Sequence, residues 1–289
     1  MTILLYLYNM VLESIVSPKD ARKNTWKIAL LAFVFVSIGI IAADFLGVYT
    51  SIIALTLIAI PAVPFIWRLF ESEEDEIERT VVLGSRTIAR HFPTILIMSM
   101  LFIGLIAGFV FWFLVLPSDK TNTVFEVQLN ELKAVGASTG QVILSFNNEK
   151  FLETFEMLFF HNLGVLLIIL FFSLLYGAGA VFVFVWNASI IGVFIGKYAL
   201  AAAAGASDLS AIIGGIATSA LGLFPHGSFE LIAYLLGALA GGILSSAITR
   251  VVQKSDSFIV VMQDSIKLTA ISLICLAIGA FIEAQAIAG

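Results

Sequence analysis

Between residues 161 and 204 the chain carries a single charged side chain, Lys197. About 20 apolar residues, rising 1.5 Å each, cross the roughly 30 Å hydrocarbon core of a bilayer as one helix. This stretch is therefore long enough for two crossings. The rest of the chain agrees with it. Of 289 residues, 60% are hydrophobic and only 12% charged, where soluble domains are about 45–50% apolar and about 25% charged. That composition excludes a water-soluble globular domain. Disordered, collagenous, coiled-coil and nucleic-acid-binding classes go with it, because each needs abundant charge or a different repeat.

Runs at 25–43, 45–67 and 94–116 each suffice for one crossing, with Asp44 capping a tight turn between the first two. Pro61 and Pro64 are expected to kink the second run near its end, which neighbours in a bundle tolerate. Gly177 and Gly179 mark the break in the uncharged stretch, giving crossings at 156–176 and 178–204. Beyond Asp208 come two apolar pieces, 209–224 and 228–248, divided by Pro225, His226 and Gly227. The first piece is short for a crossing, so a broken or re-entrant helix pair is expected around residues 225–227. A last run covers 262–287. The expected fold is all-α, a polytopic transmembrane bundle of about 7–8 helices. Residues 1–24 are expected at the membrane interface, with a short apolar helix at 3–12 that Pro18 stops, and 25–289 as one transmembrane domain.

Basic residues orient such a bundle in the cell membrane. Lys19, Arg22, Lys23 and Lys27 precede the first run, and Arg68, Arg79, Arg86 and Arg90 separate the second from the third. The positive-inside rule places both groups, and so the N-terminus, in the cytoplasm. Residues 68–93 are then a cytoplasmic connector, in which the six carboxylates between Glu71 and Glu78 form a solvated face. Residues 117–155 form an extracytoplasmic loop with amphipathic helices at 124–135 and 148–160. Eight full crossings would leave Arg250 and Lys254 outside, against the same rule, so the side of the C-terminus stays open.

Ionisable residues at membrane depth are costly and are the default functional candidates. His226 and Glu230 stand four apart beside the Pro225 and Gly227 break, so on a helix they share one face. Either they hydrogen-bond each other and the backbone opened by Pro225, or they form a proton, metal or substrate site beside a discontinuous helix. Asn162 and Asn187 lie in strongly apolar surroundings and are expected to bond across to other helices. Asp264 and Lys267 are spaced as an interfacial ion pair, and Glu283 is placed to reach the headgroups. One His and one Glu fall short of the three protein ligands of a catalytic zinc site, and no hydrolase or phosphate-loop motif is present. An enzyme, as a metal-dependent intramembrane hydrolase, is the third choice of function, and no cofactor is expected.

Glycine pairs four apart, at Gly104/Gly108, Gly192/Gly196 and Gly237/Gly241, provide small faces for close helix approach. Packing within one chain is the first use, and contact between copies of the chain the second. Cys275 is the only cysteine and reads as a packing residue.

At these same residues a family resemblance stands out. Asn162, the run Tyr176-Gly177-Ala178-Gly179-Ala180, the run Trp186-Asn187-Ala188-Ser189-Ile190-Ile191-Gly192, and above all Pro225-His226-Gly227-Ser228-Phe229-Glu230-Leu231 resemble the stage II sporulation protein M family. The likeness covers 156–250 in order and spacing, and the earlier spans resemble longer, archaeal-type members more loosely. Asn187-Ala188 stands where the family pattern has Asn-Gly. The resemblance implies a membrane anchor or scaffold that assembles with two peptidoglycan-remodelling partners in endospore formers. It also implies relatives in organisms that neither sporulate nor have peptidoglycan. The expected partners are the lipid bilayer and other membrane or envelope proteins. A transporter or channel for a proton, ion or small solute, using Glu230 and His226, is the alternative.

Overall fold

A computed structural model describes residues 17–47, 50–80, 87–134, 148–203, 208–250 and 255–288. Its described residues form helices and no strand: α1 (Pro18–Lys23), α2 (Trp26–Leu46), α3 (Thr50–Thr80), α4 (Thr87–Val115), α5 (Ser118–Val124), α6 (Glu126–Ala134), α7 (Asn148–Tyr176), α8 (Val181–Ala203), α9 (Leu209–Arg250) and α10 (Ser255–Ala288). Seven of them, α2, α3, α4, α7, α8, α9 and α10, are long and apolar enough to cross a membrane. The protein is thus a multi-pass membrane helical bundle. The expected helix at 3–12 lies outside the described residues.

Local chemistry sets the ends. Gly47 terminates α2 in the left-handed region, φ 73°, and its N–H donates to the Ala43 carbonyl, the closing arrangement that glycine makes inexpensive. Asp44 therefore lies inside the helix and caps no turn. Its carboxylate instead takes Lys120 at 2.5 Å, fastening α5 to the end of α2. Gly177, φ 60°, separates α7 from α8 through a short 3₁₀ turn at Ala178–Ala180. A Cβ there would stand 2.5 Å from the Trp67 ring. Asp208 caps α9 by accepting the Ser210 N–H at 3.0 Å and the Ser210 hydroxyl at 2.5 Å. Those bonds hold its carboxyl below the usual range, the hydroxyl bond first.

The expected break at Pro225 and Gly227 is absent. Helix α9 runs uninterrupted for 42 residues with Pro225 inside it. A proline removes one N–H and crowds the carbonyl four residues earlier. Both Pro225 and Leu221, the latter 70% exposed, lie on the outer side of α9. The disturbed backbone thus falls where no packed neighbour is displaced. Pro61 and Pro64 are likewise carried inside the 31-residue α3. Merging two expected pieces into one helix leaves seven helices able to cross a membrane among the described residues.

Helix α9 is the centre of the bundle. It packs against α10, α7, α8 and α3, while α2, α4 and α8 form a second packed layer. From Ala233 to Ile243 every residue of α9 is buried, as expected only of a helix with neighbours on all sides. Small residues make this possible. A Cβ on Gly241 would stand 2.6 Å from Ser173 of α7, and one on Gly237 or Gly242 would run into Leu166 or Phe70. Gly192 and Gly196 meet Phe109 and Phe113 of α4 in the same way, at 2.5 and 2.7 Å. All three predicted pairs face another helix of the same chain.

Candidate functional site

Two polar clusters lie at opposite ends of the bundle. The first is built on the family-like residues of α7 and α9. The Asn162 amide donates from Nδ2 to Glu230 Oε1 at 2.7 Å and accepts the Tyr234 hydroxyl at 3.1 Å. Asn162 and Tyr234 are 7% and 6% exposed. One amide thus uses both its ends to tie α7 to two successive turns of α9. Helix α10 closes the third side. A Cβ on Gly279 would stand 3.2 Å from Glu230 Cγ, so the Glu230 side chain lies across Gly279, one turn before Glu283. Glu283 comes within hydrogen-bond reach of Glu230 and its Oε1 is 4.0 Å from His226 Nε2.

His226 and Glu230 do share a face, as their spacing requires, and each meets Glu283 rather than the other. Glu283, expected at the headgroups, is a member of the cluster. Asn187 is not. It donates to the Val183 carbonyl of its own helix at 2.8 Å, and among the described residues its amide makes no bond to another helix. Pro225 is exposed and Gly227 half-buried on α9, and among the described residues nothing comes within 4 Å of a Cβ on Gly227.

The second cluster was not legible as a site. Glu73, inside the acidic run read as a solvated face, is 1% exposed, and His91 is fully buried. His91 Nδ1 lies 2.7 Å from Glu73 Oε1, and Nε2 lies 3.3 Å from Asp264 Oδ2. Arg22 donates to Glu73 Oε2 at 3.0 Å, and Thr94 donates to the same oxygen. Thr87 donates to Asp264 Oδ1 at 2.6 Å, and Arg90 to Oδ2 at 2.5 Å. Asp264 therefore pairs with Arg90 rather than with Lys267. With a carboxylate at each ring nitrogen, the imidazolium is the form of His91 that can donate to both. The network ties α1, α3, α4 and α10 at one end of the bundle.

A signal for it existed. The buried stripe of α3 runs Ala62, Phe65, Ile66, Leu69, Phe70, and the next position on that face is Glu73. In α10 the stripe Val260, Val261, Ser265, Leu268 has Asp264 in its middle. A carboxylate on the apolar stripe reads as buried however acidic its neighbours are. Among the described residues no three His, Cys, Asp or Glu side chains are arranged to hold a metal ion.

No curated protein and no solved structure matches the chain. The family model of stage II sporulation protein M matches residues 95–286, a stretch running from within α4 to the end of α10. It contains the whole Asn162, Glu230, Tyr234 and Glu283 cluster, and well over half the chain lies inside it. This multi-pass membrane protein therefore belongs to the stage II sporulation protein M family.

Proposed function

We propose that the chain is a non-enzymatic scaffold of the cell membrane, an anchor for other membrane or envelope proteins. The supporting observation is that Asn162, Glu230 and Tyr234 are spent on one another. Buried polar groups used this way fix helix packing. The test is thermal unfolding of the purified protein in detergent. Asn162→Ala strands the Tyr234 hydroxyl and takes the amide donor from Glu230, and is expected to lose about 1–3 kcal/mol. Asn187→Ala, which removes a bond within one turn, is expected to lose far less. If Asn162→Ala kept the wild-type midpoint while a binding or transport signal disappeared, the scaffold reading would be wrong.

In this reading the end carrying Arg22, Arg90 and the His91 network faces the cytoplasm. Seven crossings support that orientation. An odd number returns Arg250 and Lys254 to the side of Lys19, Arg22, Lys23 and Lys27. The last helix then ends outside the cytoplasm.

A second reading, a proton or ion pathway, draws on Glu283. Two carboxyls within hydrogen-bond reach, with His226 beside them, are a constellation that can exchange a proton. Vesicles loaded with a pH-sensitive dye and holding the purified chain distinguish the two. The scaffold reading expects an imposed pH gradient to decay as in empty vesicles. Faster decay that Glu230→Gln abolishes would establish the pathway instead.

A further inference from the structure

We propose that the groove between the first turns of α4 and the middle of α10 binds an anionic phospholipid, with Lys267 holding its phosphate. The proposal rests on the membrane-spanning fold alone and is independent of the scaffold reading.

The groove has a volume of about 920 Å³ and is lined by Thr87, Ile88, Phe92, Lys267, Ala270 and Ile271, with Ala89. Its walls are those of an acyl-chain site. Ile88 is 40% and Phe92 57% exposed, and on α10 Ala270 and Ile271 continue the apolar surface. Among the described residues the single charge on the lining is the Lys267 ammonium.

That ammonium lacks the counter-ion its sequence offers. Asp264, three residues earlier, turns into the bundle and is taken by Arg90, Thr87 and His91. Lys267 points the other way, exposed, with no ion-pair or hydrogen-bond partner among the described residues. Within a membrane span an unpaired ammonium must reach an anion or the headgroup layer. The position allows it. Thr87 opens α4 and Lys267 lies one turn beyond Asp264, at the end of the bundle where Arg22 and Arg90 gather. Helices α4 and α10 both run away from that end, so Phe92, Ala270 and Ile271 lie deeper than Thr87. A lipid seated there presents its phosphate to Lys267 and its chains to the apolar wall. A zwitterionic lipid fits the wall equally well, but its own ammonium offsets the attraction. The charge therefore selects for an anionic headgroup.

Native mass spectrometry of the purified chain, loaded from micelles with equal phosphatidylglycerol and phosphatidylcholine, reads the preference directly. One lysine near a membrane surface corresponds to roughly fivefold enrichment of the anionic lipid. Lys267→Gln is expected to bring the ratio close to one, and Ala270→Trp, which fills the groove, to reduce retention of both lipids. Lys120→Gln, outside the groove, is expected to leave the ratio unchanged. Equal retention of the two lipids by the wild type would overturn the proposal. So would an enrichment that survives Lys267→Gln, since it would belong to the other basic residues.

Discussion

Replacing Glu73 by Ala is expected to destabilise the protein by about 3–5 kcal/mol, the usual cost of removing one member of a buried ion network. The reason is what stays behind. His91 Nδ1, the Arg22 guanidinium and the Thr94 hydroxyl all lose the same carboxylate, and His91 has no exposed surface through which water could replace it. Glu73→Gln keeps an acceptor oxygen but not the charge, and should fall between the wild type and Glu73→Ala. Glu153→Ala, an exposed change on α7, should stay within about 0.5 kcal/mol of the wild type. Thermal midpoints in one detergent compare all three. Should Glu73→Ala melt with Glu153→Ala, the network would contribute nothing. A cycle combining His91→Ala with Asp264→Ala adds a second check. Because His91 Nε2 and Asp264 Oδ2 touch each other directly at 3.3 Å, the two changes should be clearly non-additive.

Hydropathy alone located the spans because helix length and bilayer thickness are matched by geometry. It failed where a polar or helix-breaking residue had to be placed on a particular side of a helix. Pro225 and Gly227 looked like a break because the sequence cannot show that the proline ring and Leu221 face outward. Glu73 looked solvated because its acidic neighbours dominate any window average, although its phase with Leu69 and Phe70 points inward. Asp264 looked like the partner of Lys267 because three-residue spacing permits it. The nearer competitor, Arg90, comes from a helix more than 170 residues away in sequence. Asn162 and Glu230 were identified as candidates, but their geometry needed Glu283 and Tyr234, which only the packing of α7, α9 and α10 brings together. In each case the missing information is an azimuth or a tertiary neighbour. The phase on an apolar stripe carries the azimuth of Glu73 and Asp264, while a tertiary neighbour has no local signature.

Gly104→Ala and Gly164→Ala, the same change in two membrane helices, are expected to have opposite signs. On α4 a Cβ at Gly104 would stand 2.6 Å from the Ala29 Cα and 2.7 Å from its carbonyl carbon. Those are backbone atoms of α2, so no side chain can rotate aside and the two helices must separate. One turn on, Gly108 meets the Val36 side chain at 2.8 Å, so the strain extends along the contact. Overpacking of this kind costs about 1–3 kcal/mol, and Gly104→Leu should prevent recovery of a monodisperse protein. Gly164 on α7 has nothing within 4 Å of its Cβ position. There the substitution only removes the helix penalty of glycine, worth about 0.8–1.0 kcal/mol in stabilisation. The pair separates close backbone approach from helix propensity, since propensity alone predicts that both alanines stabilise. An increase in midpoint for Gly104→Ala would show that α2 and α4 do not meet at Ala29. A decrease there with an increase for Gly164→Ala would assign the Gly104/Gly108 face to packing within the chain, on the layer that supports α8 and, through it, α9.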